Sequence, residues 1–362
     1  MINSVINAHE YNEAFCVREN TVAPDSSSVG PFLSESYVKY SMVNFEPGEA
    51  KVFMAVYSAD QRGELELRLD APDGMKIGTV VLESTGNAAL FKECYTVIDE
   101  VTGVHDIYLV APQKTSAYLD TIVFSTNNGS ETESETDARM AWWRSARYGQ
   151  FIHFGAYANY EFKDTYSGYS EWVMSHHKIS REEYERSCVE TFNPIDWNAD
   201  KIVSDAIDAG VQYIVFTSKH HEGFSMFNTN VSGFKSFSLT GYGTYKGEDP
   251  LGTLAAACKA ADIPFGCYYS IMDWRHEAQN QWGSEILEKE AYIADMKAQL
   301  RELIQKYDVD ILWFDGEWVE WWTKEDGDDL YRYLRTLKPS LIINNRVGNK
   351  LITMLSLSKA VS

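Results

Sequence analysis

The stretch "DVDILWFDGEW", residues 308–318, decides how the second half of this 362-residue chain folds. Its apolar centre favours a buried strand, but the run ends in a lone acid, Asp315, ringed by tryptophans. Trp313 comes two residues before Asp315, so both side chains lie on the same side of the strand. A carboxylate beside an indole at a strand tip predicts a nucleophile or base for sugar chemistry. The alternative is an acid that only caps the following turn.

Four more apolar runs alternate with helical patterns. They are "QFIHFG" (150–155), "YIVFTSKHH" (213–221), "PFGCYYS" (264–270) and "LIINNR" (341–346). Repeated strand–helix units predict a parallel sheet, and polar residues at strand ends predict an α/β domain of the (β/α)8 TIM-barrel type. About five strands are readable, so we expect the barrel to be incomplete. Helices are predicted in 196–210, with Asp196 as N-cap and Gly210 as stop, in 286–307 and in 328–337.

The first 125 residues follow a different pattern. "ELELRLD" (64–70) alternates leucine with charged residues, as a half-buried strand does, and "APDG" (71–74) supplies a turn. Short strands at this spacing predict an all-β, jelly-roll-like sandwich over residues 1–125. The acidic, polar segment 126–137 is predicted to be a linker, and 138–362 the partial barrel domain. The chain is therefore predicted to be multidomain.

The composition bounds the partners. The formal net charge is −21, and phosphate binding needs a basic surface, so we expect neither nucleic acid nor an anionic membrane as partner. Ten Trp and 22 Tyr suit ring stacking on sugars, with an ordinary aromatic core as the alternative. Five scattered cysteines imply neither a disulfide framework nor a zinc knuckle, and no cofactor is expected. Neither a signal peptide nor a membrane-spanning run is visible, so the cytoplasm is the default compartment; an export signal outside this chain stays open.

Histidines at strand ends raise the question of a metal. His153 follows the first strand of the second half, and His220 and His221 end the next. A lone histidine among aromatics is usually a core residue, but the adjacent pair can serve one pocket if the strand ends there, as Gly223 indicates. Three such histidines are also able to bind zinc. We expect no metal, because the first strand has one histidine where a barrel metallohydrolase would have a pair.

Two further motifs carry candidate ligands. Glu171 and Trp172 offer an acceptor for hydroxyl groups and a ring for stacking, or else form an ordinary loop with a packed tryptophan. Of Tyr268 and Tyr269, only one can face the interior of a barrel, because successive side chains of a strand alternate.

Glu317 is a second carboxylate near Asp315. On an extended strand the two would stand roughly 6.6 Å apart. Retaining glycosidases hold their two carboxyl groups about 5–5.5 Å apart and inverting ones about 6.5–9.5 Å. Gly316 is expected to break the strand between them, so this spacing decides nothing.

Six motifs in this order resemble the catalytic barrel of family 29 glycoside hydrolases, the α-L-fucosidases. They are "RYGQFIHFGAY", "EWV", "FNPIDWNADKIVSDAIDAGVQYIVFTSKHHEGF", "GCYYSIMDWRH", "DILWFDGEW" and "IINNRVG". The resemblance implies that Asp315 is the nucleophile of a retaining mechanism. Glu222 is a departure, since the family usually has aspartate after the histidine pair. The resemblance also implies a fucose pocket lined by His153, Glu171, Trp172, His220, His221, Tyr269 and Trp313, with Arg346 near it.

The N-terminal segment resembles a family 6 carbohydrate-binding module through "INAHEY", "SESYVKYSMVNF", "IGTVVLESTGNAALFKECYTV" and "GVHDIYLV". The resemblance implies that an aromatic pair sandwiches a sugar, and Tyr37 and Phe91 are the candidates. Asn7 and His9 stand where such modules carry acids that hold a structural calcium, so no calcium is expected.

The family's acid/base glutamate follows the "NNRVG" strand. Residues 349–362, "NKLITMLSLSKAVS" after Gly348, contain no acid, so the proton donor is expected to be missing from a truncated chain. Such a donor contributes about 10²–10⁴-fold, so hydrolysis of natural glycosides is expected to be impaired. The predicted function is release of L-fucose from a fucosylated glycan. The alternative is a carbohydrate-binding protein without turnover.

Overall fold

The computed structural model describes residues 3–21, 27–46, 50–160, 168–235 and 249–348. The chain divides into two compact units. The first comprises Met1–Glu131 with Arg332–Pro339, and the second Thr132–Tyr331 with Ser340–Ser362. Residues 349–362, where the sequence shows no acid, lie outside the described part.

The first unit is built from two antiparallel sheets. The strands are β1 Val5–Asn7, β2 Glu13–Phe15, β3 Glu19–Asn20, β4 Ser28–Val29, β5 Tyr37–Asn44, β6 Ala50–Ser58, β7 Gly63–Leu69, β8 Lys76–Leu82, β9 Lys92–Val101, β10 Val104–Val110 and β11 Tyr118–Ser125. One sheet has the strand order β3-β4-β11-β6-β9, with β1 also paired to β11, and the other has the order β2-β5-β10-β7-β8.

Leucine alternation explains how the two sheets pack. In β7, Leu65, Leu67 and Leu69 are buried while the residues between them are not. These leucines share one core cluster with Phe53 of β6 and Phe124 of β11, which belong to the other sheet. The strands predicted in this segment are confirmed, and a sheet-rich N-terminal unit with its own core follows.

The second unit contains a five-stranded parallel sheet in chain order. All five predicted runs form its strands, so the parallel sheet is confirmed. The pairing among the described residues is an open row, so closure into an eight-stranded barrel stays a prediction. The strands are β12 Gln150–Ile152, β13 Ile214–Lys219, β14 Phe265–Ser270, β15 Ile311–Asp315 and β16 Ile342–Ile343.

Helices connect these strands, and the three predicted ones are present with shifted ends. None of the helices in the described residues is long and apolar enough to cross a membrane. The helices are α1 Glu133–Ala146, α2 Val173–His176, α3 Arg181–Tyr184, α4 Ala199–Asp208, α5 Ser232–Lys235, α6 Pro250–Ala260, α7 Lys289–Tyr307 and α8 Lys324–Leu337.

The N-caps of two helices explain where these helices begin, which is not where the sequence analysis placed their starts. Helix α1 begins at Glu133, inside the segment 126–137 that was predicted to be a linker. The hydroxyl of Thr132 accepts from the backbone N–H of Glu135, and the Glu135 carboxylate accepts in return from the backbone N–H of Thr132, which is a capping box. Helix α4 is capped by Asn198 rather than Asp196, because the Asn198 side chain accepts from the backbone N–H of Lys201.

Candidate active site

Asp315 ends strand β15 and its carboxylate is held from two sides. The hydroxyl of Tyr268 donates to Oδ2 at 2.7 Å. The Arg346 guanidinium Nη2 lies 2.5 Å from Oδ1. Only 13% of the Asp315 side chain is exposed, so the hydrogen bond from Tyr268 and the ion pair with Arg346 both act in a partly desolvated place, where electrostatic attraction is stronger than in water. The arrangement keeps a carboxylate fixed at the C-terminal end of a parallel strand.

Gly316 lets the chain turn sharply after this carboxylate. Its φ is +84°, and a Cβ there would lie 2.9 Å from the backbone nitrogen of Met272. Glu317 is thereby brought to Arg346, whose Nε donates to both carboxylate oxygens at 3.0 and 3.1 Å. Burial opposes the charge of Arg346, but the hydrogen bond to Glu317 and the charge of Asp315 outweigh it and raise the pKa of Arg346. One cation therefore serves both acids of the "FDGEW" motif.

His221 faces Asp315 as a neutral ring. Its Nε2 lies 3.5 Å from Asp315 Oδ2, and its Nδ1 lies 2.6 Å from Ser270 Oγ. Burial, helped by the charges of Lys219 and Arg346, lowers the pKa of His221 to about 3. At neutral pH there is thus no ion pair with Asp315. The buried Nε2 has no hydrogen-bond partner in the described structure.

His220 and His153 continue this row of rings. His220 is 3% exposed and stacks on Tyr268, with ring centroids 4.8 Å apart and planes at 5°. His153 lies edge to face with His220 at 5.4 Å. Burial lowers the pKa of both imidazoles, well below the ordinary value for His220. Both rings are therefore neutral at pH 7, when each can donate from one nitrogen and accept at the other.

Trp172 and Trp318 form an aromatic wall beside His221. The Trp172 ring meets His221 edge to face at 5.0 Å and stacks on Trp318 at 6.3 Å with planes at 20°. The Arg346 guanidinium lies over the Trp318 ring, 5.1 Å from its centroid. Trp318 is 49% exposed, so the wall reaches solvent. Sequence reasoning missed Trp318, although it lies in the stretch that indicated the site.

A second group of rings, Phe151 and Trp313, also packs near Tyr268. Trp313 packs edge to face on Phe151 at 5.4 Å, and Phe151 in turn meets Tyr268 at 6.1 Å. Tyr268 stands opposite Trp313 in the strand pairing. Trp313 and Phe151 are thereby brought to the same part of the sheet as Tyr268, which contacts Asp315.

Tyr269 was predicted to line the pocket, but in the structure its side chain is directed to helix α7 instead. Its hydroxyl donates to Gln299 of helix α7 at 2.7 Å, and the Lys219 ammonium lies 4.6 Å from its ring centroid. Tyr268 takes the predicted place instead, because side chains alternate along β14 and only one of the neighbours faces Asp315. The sequence reduced the choice to these two residues, but only the strand's orientation decided between them.

The aromatic pair predicted in the N-terminal unit is not formed as expected. Phe91 is 5% exposed, so its ring is not available for stacking on a sugar. Tyr37 is half-buried; its hydroxyl donates to Glu13 at 2.6 Å, and its ring stacks on the exposed Phe15 at 5.7 Å. The physical reason is that Phe91 packs into the protein ahead of β9, which the sequence pattern of a loop does not reveal.

Two groups of side chains have the composition of a metal site. The first is His153, Glu171 and His220, and the second is His220, His221 and Asp315; within each, the ligand atoms lie within 4.8 Å of one another. Neutral imidazoles and carboxylates are ligands that zinc accepts. In the second group Arg346 already occupies Oδ1 of Asp315, and its positive charge disfavours a further cation there. The same atoms are equally suited to sugar hydroxyls.

Glu222 lies buried next to the histidine pair. Burial and the neighbouring charge of Asp273 raise the pKa of Glu222 to about 8. Asp273 is paired with Lys219 at 2.9 Å, with both side chains almost fully buried. Glu222 Oε2 has no hydrogen-bond partner among the described residues. The pocket thus sits on a buried acid that is protonated at pH 7.

Comparison with known proteins shows which families the two parts of the chain match. The family model for alpha-L-fucosidase matches residues 120–359, about two thirds of the chain. The chain belongs to the alpha-L-fucosidase family. The model for family 6 carbohydrate binding modules matches residues 8–126, the sheet-rich N-terminal unit.

Individual relatives agree with this placement. The chain is similar to an alpha-L-fucosidase of Branchiostoma floridae, 25% identical over 59% of this chain and 49% of that protein. It is similar to a Bacteroides thetaiotaomicron family 29 structure described as a covalent intermediate trapped with 2-fluoro-fucosyl fluoride, with 29% identity, a TM-score of 0.52 and coverage of 62% and 51% of the two chains. It is also similar to the structure of an alpha-L-fucosidase of Lactobacillus casei in complex with alpha-L-fucose. Here the identity is 30%, the TM-score is 0.51, and the match covers 58% of this chain and 71% of that chain. The chain spans about half the length of the curated relatives it matches.

Proposed function

We propose that the second unit is the catalytic domain of a retaining α-L-fucosidase that releases L-fucose from glycans, with Asp315 as nucleophile. The observation that carries this is the fixed carboxylate of Asp315, held by Tyr268 and Arg346 and facing the unpartnered Nε2 of His221. The trapped covalent intermediate of the Bacteroides thetaiotaomicron relative supports the assignment. The five parallel strands support the proposal that this domain is of the (β/α)8 type.

In this mechanism an Asp315 oxygen attacks the anomeric carbon of the fucoside. The carbon–oxygen bond to the leaving group breaks, and a covalent glycosyl–enzyme ester forms. Water then attacks the same carbon from the opposite side and regenerates the carboxylate, with net retention of configuration. Arg346 and Tyr268 hold the Asp315 carboxylate in place for attack, because the guanidinium contacts Oδ1 while the Tyr268 hydroxyl donates to Oδ2.

Recognition of the sugar follows from the polar and apolar surfaces around Asp315. The neutral rings of His153, His220 and His221 can exchange hydrogen bonds with hydroxyl groups, and Glu171 can accept one. The indoles of Trp172 and Trp313 provide the apolar surface that a deoxy-sugar's methyl group needs. The proposed pocket therefore combines a polar floor with aromatic walls.

We assign the proton donor to none of the described residues. Both carboxylate oxygens of Glu317 are already engaged by Arg346 Nε. Glu171 lies among the histidines of the proposed sugar pocket. A general acid contributes about 10²–10⁴-fold for poor leaving groups and much less for good ones. An activated fucoside is therefore the substrate that tests the role of Asp315 without depending on the proton donor.

The alternative is a carbohydrate-binding protein without turnover. It is favoured by the match of residues 8–126 to a carbohydrate binding module. In that case the second unit would bind sugar and leave it intact. We propose glycan binding for the N-terminal unit under either function.

The test is to trap the covalent intermediate. The chain is incubated with 2-fluoro-fucosyl fluoride, and peptides are analysed by mass spectrometry for a fluorofucosyl adduct on "ILWFDGEW". We expect the adduct on Asp315, its loss in Asp315→Asn, and its retention in the control Asp262→Asn, which changes an exposed acid. An adduct on another residue would overturn the assignment of the nucleophile. Binding of fucose without adduct and without cleavage of a dinitrophenyl fucoside would support the binding protein.

A further inference from the structure

The hydrogen bonds around Ser270 settle which nitrogen of His221 carries the proton. Ser270 ends strand β14, is fully buried, and stands opposite Asp315 in the strand pairing. Its hydroxyl oxygen lies 2.5 Å from the carbonyl oxygen of Met272 and 2.6 Å from Nδ1 of His221. Both contacts are too short for two atoms without a hydrogen between them.

Counting hydrogens leaves one solution. A carbonyl oxygen carries no hydrogen, so the short contact to Met272 must contain the only hydrogen of the Ser270 hydroxyl. The remaining contact then needs a hydrogen from the ring, and His221 Nδ1 donates it to Ser270 Oγ. A neutral imidazole has one N–H, so Nε2 of His221 carries a lone pair.

That lone pair faces the reaction centre. Nε2 is 3.5 Å from Asp315 Oδ2, and two electron-rich atoms at this distance do not bond to each other. Oδ2 already accepts from the Tyr268 hydroxyl at 2.7 Å. Nε2 is buried and has no partner among the described residues, so it is an acceptor without a donor. A hydroxyl group entering between His221 and Asp315 would supply the missing hydrogen.

We propose that Ser270 is a positioning residue that fixes His221 in the Nδ1–H form, so that Nε2 accepts a hydrogen bond from a hydroxyl of the bound sugar. The proposal rests on the proposed function for the identity of the sugar, but the state of the ring does not depend on it. Ser270 thereby also keeps His221 from donating to Asp315.

Removing the Ser270 hydroxyl should move the ring proton of His221 from Nδ1 to Nε2. In Ser270→Ala, Nδ1 loses its acceptor while Asp315 Oδ2 remains within reach of Nε2. The proton then moves to Nε2 and binds Asp315. The site loses an acceptor for the sugar, and the nucleophile gains a donor.

The direct test is the protonation state of the His221 ring in the unliganded chain. Nitrogen chemical shifts of ¹⁵N-histidine protein distinguish the two neutral forms, and His221→Gln identifies the signal. We expect Nδ1–H in the natural protein and Nε2–H in Ser270→Ala. Nε2–H in the natural protein would overturn the proposal without any variant, and so would Nδ1–H persisting in a folded Ser270→Ala.

The functional test compares two buried serine deletions. Ser218 is also fully buried, and its hydroxyl donates to the carbonyl of Tyr268 at 2.7 Å without touching a histidine. In Ser270→Ala we expect the Kd for L-fucose to rise about tenfold and kcat on an activated fucoside to fall, because one hydrogen bond is lost. Ser218→Ala should keep both values, and Ser270→Thr, which keeps a hydroxyl, should restore them in part.

The protonation state of the His221 ring tests the role of Ser270, and the affinity for fucose tests the proposed function. If the ring changes form but neither protein binds fucose, the proposed function fails and the role of Ser270 in the ring stands. If the natural protein, Ser270→Ala and Ser218→Ala all bind fucose with the same Kd, the positioning role of Ser270 is overturned.

Discussion

A single arginine organises the charges at the residue scale. Arg346 contacts Asp315 and Glu317 at once, and Trp318 covers its guanidinium. Two carboxylates two residues apart would repel each other if both were ionised without a cation between them. The planar fork of arginine suits this bridging role better than the point charge of a lysine.

We expect Arg346→Gln to lower kcat/KM on an activated fucoside by more than 10²-fold, since Asp315 loses the guanidinium that holds its carboxylate in position. Arg186→Gln is the control, because Arg186 pairs with Glu183 on the surface. Initial rates at several pH values give the measurement. Equal losses in the two variants would point to general destabilisation and contradict the role given to Arg346.

The raised pKa of Glu222 predicts how the stability of the folded chain changes with pH. Its pKa is raised to about 8 in the folded chain, above the ordinary glutamate value, so the folded state binds more protons than the unfolded state between those two values. Stability from this group is therefore present at low pH and is lost as pH rises towards 8.

Glu222→Gln removes this titration. Relative to that variant, the natural chain should lose on the order of 3–5 kcal/mol of unfolding free energy between pH 5 and pH 8. Denaturant unfolding at the two pH values measures it, and Glu320→Gln, at an exposed acid, is the matched control. A difference between natural chain and Glu222→Gln that does not change with pH contradicts a buried protonated Glu222.

At the scale of the element, the two sides of strand β14 have different roles: one side faces the candidate active site and the other packs against helix α7. Tyr268 faces Asp315, and Tyr269 faces Gln299 on helix α7. Both rings are buried and each hydroxyl makes one hydrogen bond at 2.7 Å. The two tyrosines can therefore be compared directly, since each is buried and makes one hydrogen bond but they lie on opposite sides of the sheet.

Removing each hydroxyl should have separate consequences. We expect Tyr268→Phe to reduce kcat on an activated fucoside with a modest change in stability, because Asp315 loses a hydrogen bond. Tyr269→Phe should cost about 1 kcal/mol of unfolding free energy, or more for the orphaned Gln299, and leave kcat unchanged. Steady-state rates and urea unfolding of both variants decide. Equal effects on kcat would contradict the assignment of the two faces.

At the scale of the whole molecule, the chain combines two units with separate cores. The core cluster of the first unit contains only residues between Ile6 and Phe124. A cluster of the second joins residues of four of its five parallel strands, among them Val215, Tyr268, Ile311 and Ile342. Each unit therefore buries its own apolar surface, which is the main condition for independent folding.

Limited proteolysis should reveal this division. Residues 126–131 carry no strand or helix, whereas helix α1 protects the chain from Glu133 onwards. We expect a non-specific protease to cut first within 126–131 and to leave a resistant N-terminal fragment that keeps its β-sheet circular dichroism. Degradation of both units at one rate, without such a fragment, would contradict separate folding.

The sequence by itself determined the strands, their order and the family. All five parallel strands of the second unit were readable because apolar β-favouring runs are local signals. Asp315 was identified at the end of one of them because a lone acid after such a run is conspicuous. The start of α1 was also readable from the capping box that begins at Thr132, yet the acidic composition of 126–137 led to the prediction of a linker.

Only the tertiary structure decided which side chains meet. It placed Tyr268 rather than Tyr269 on Asp315, because the side of a strand that faces the site depends on its neighbours. It buried Phe91, and it joined Asp315 to Arg346 across 31 residues of chain through the pairing of β15 with β16. The proton on His221 likewise follows from Ser270 and Met272, which are distant in sequence from that ring. Burial and hydrogen bonding are properties of the packed chain, so residue identity and periodicity alone do not fix them.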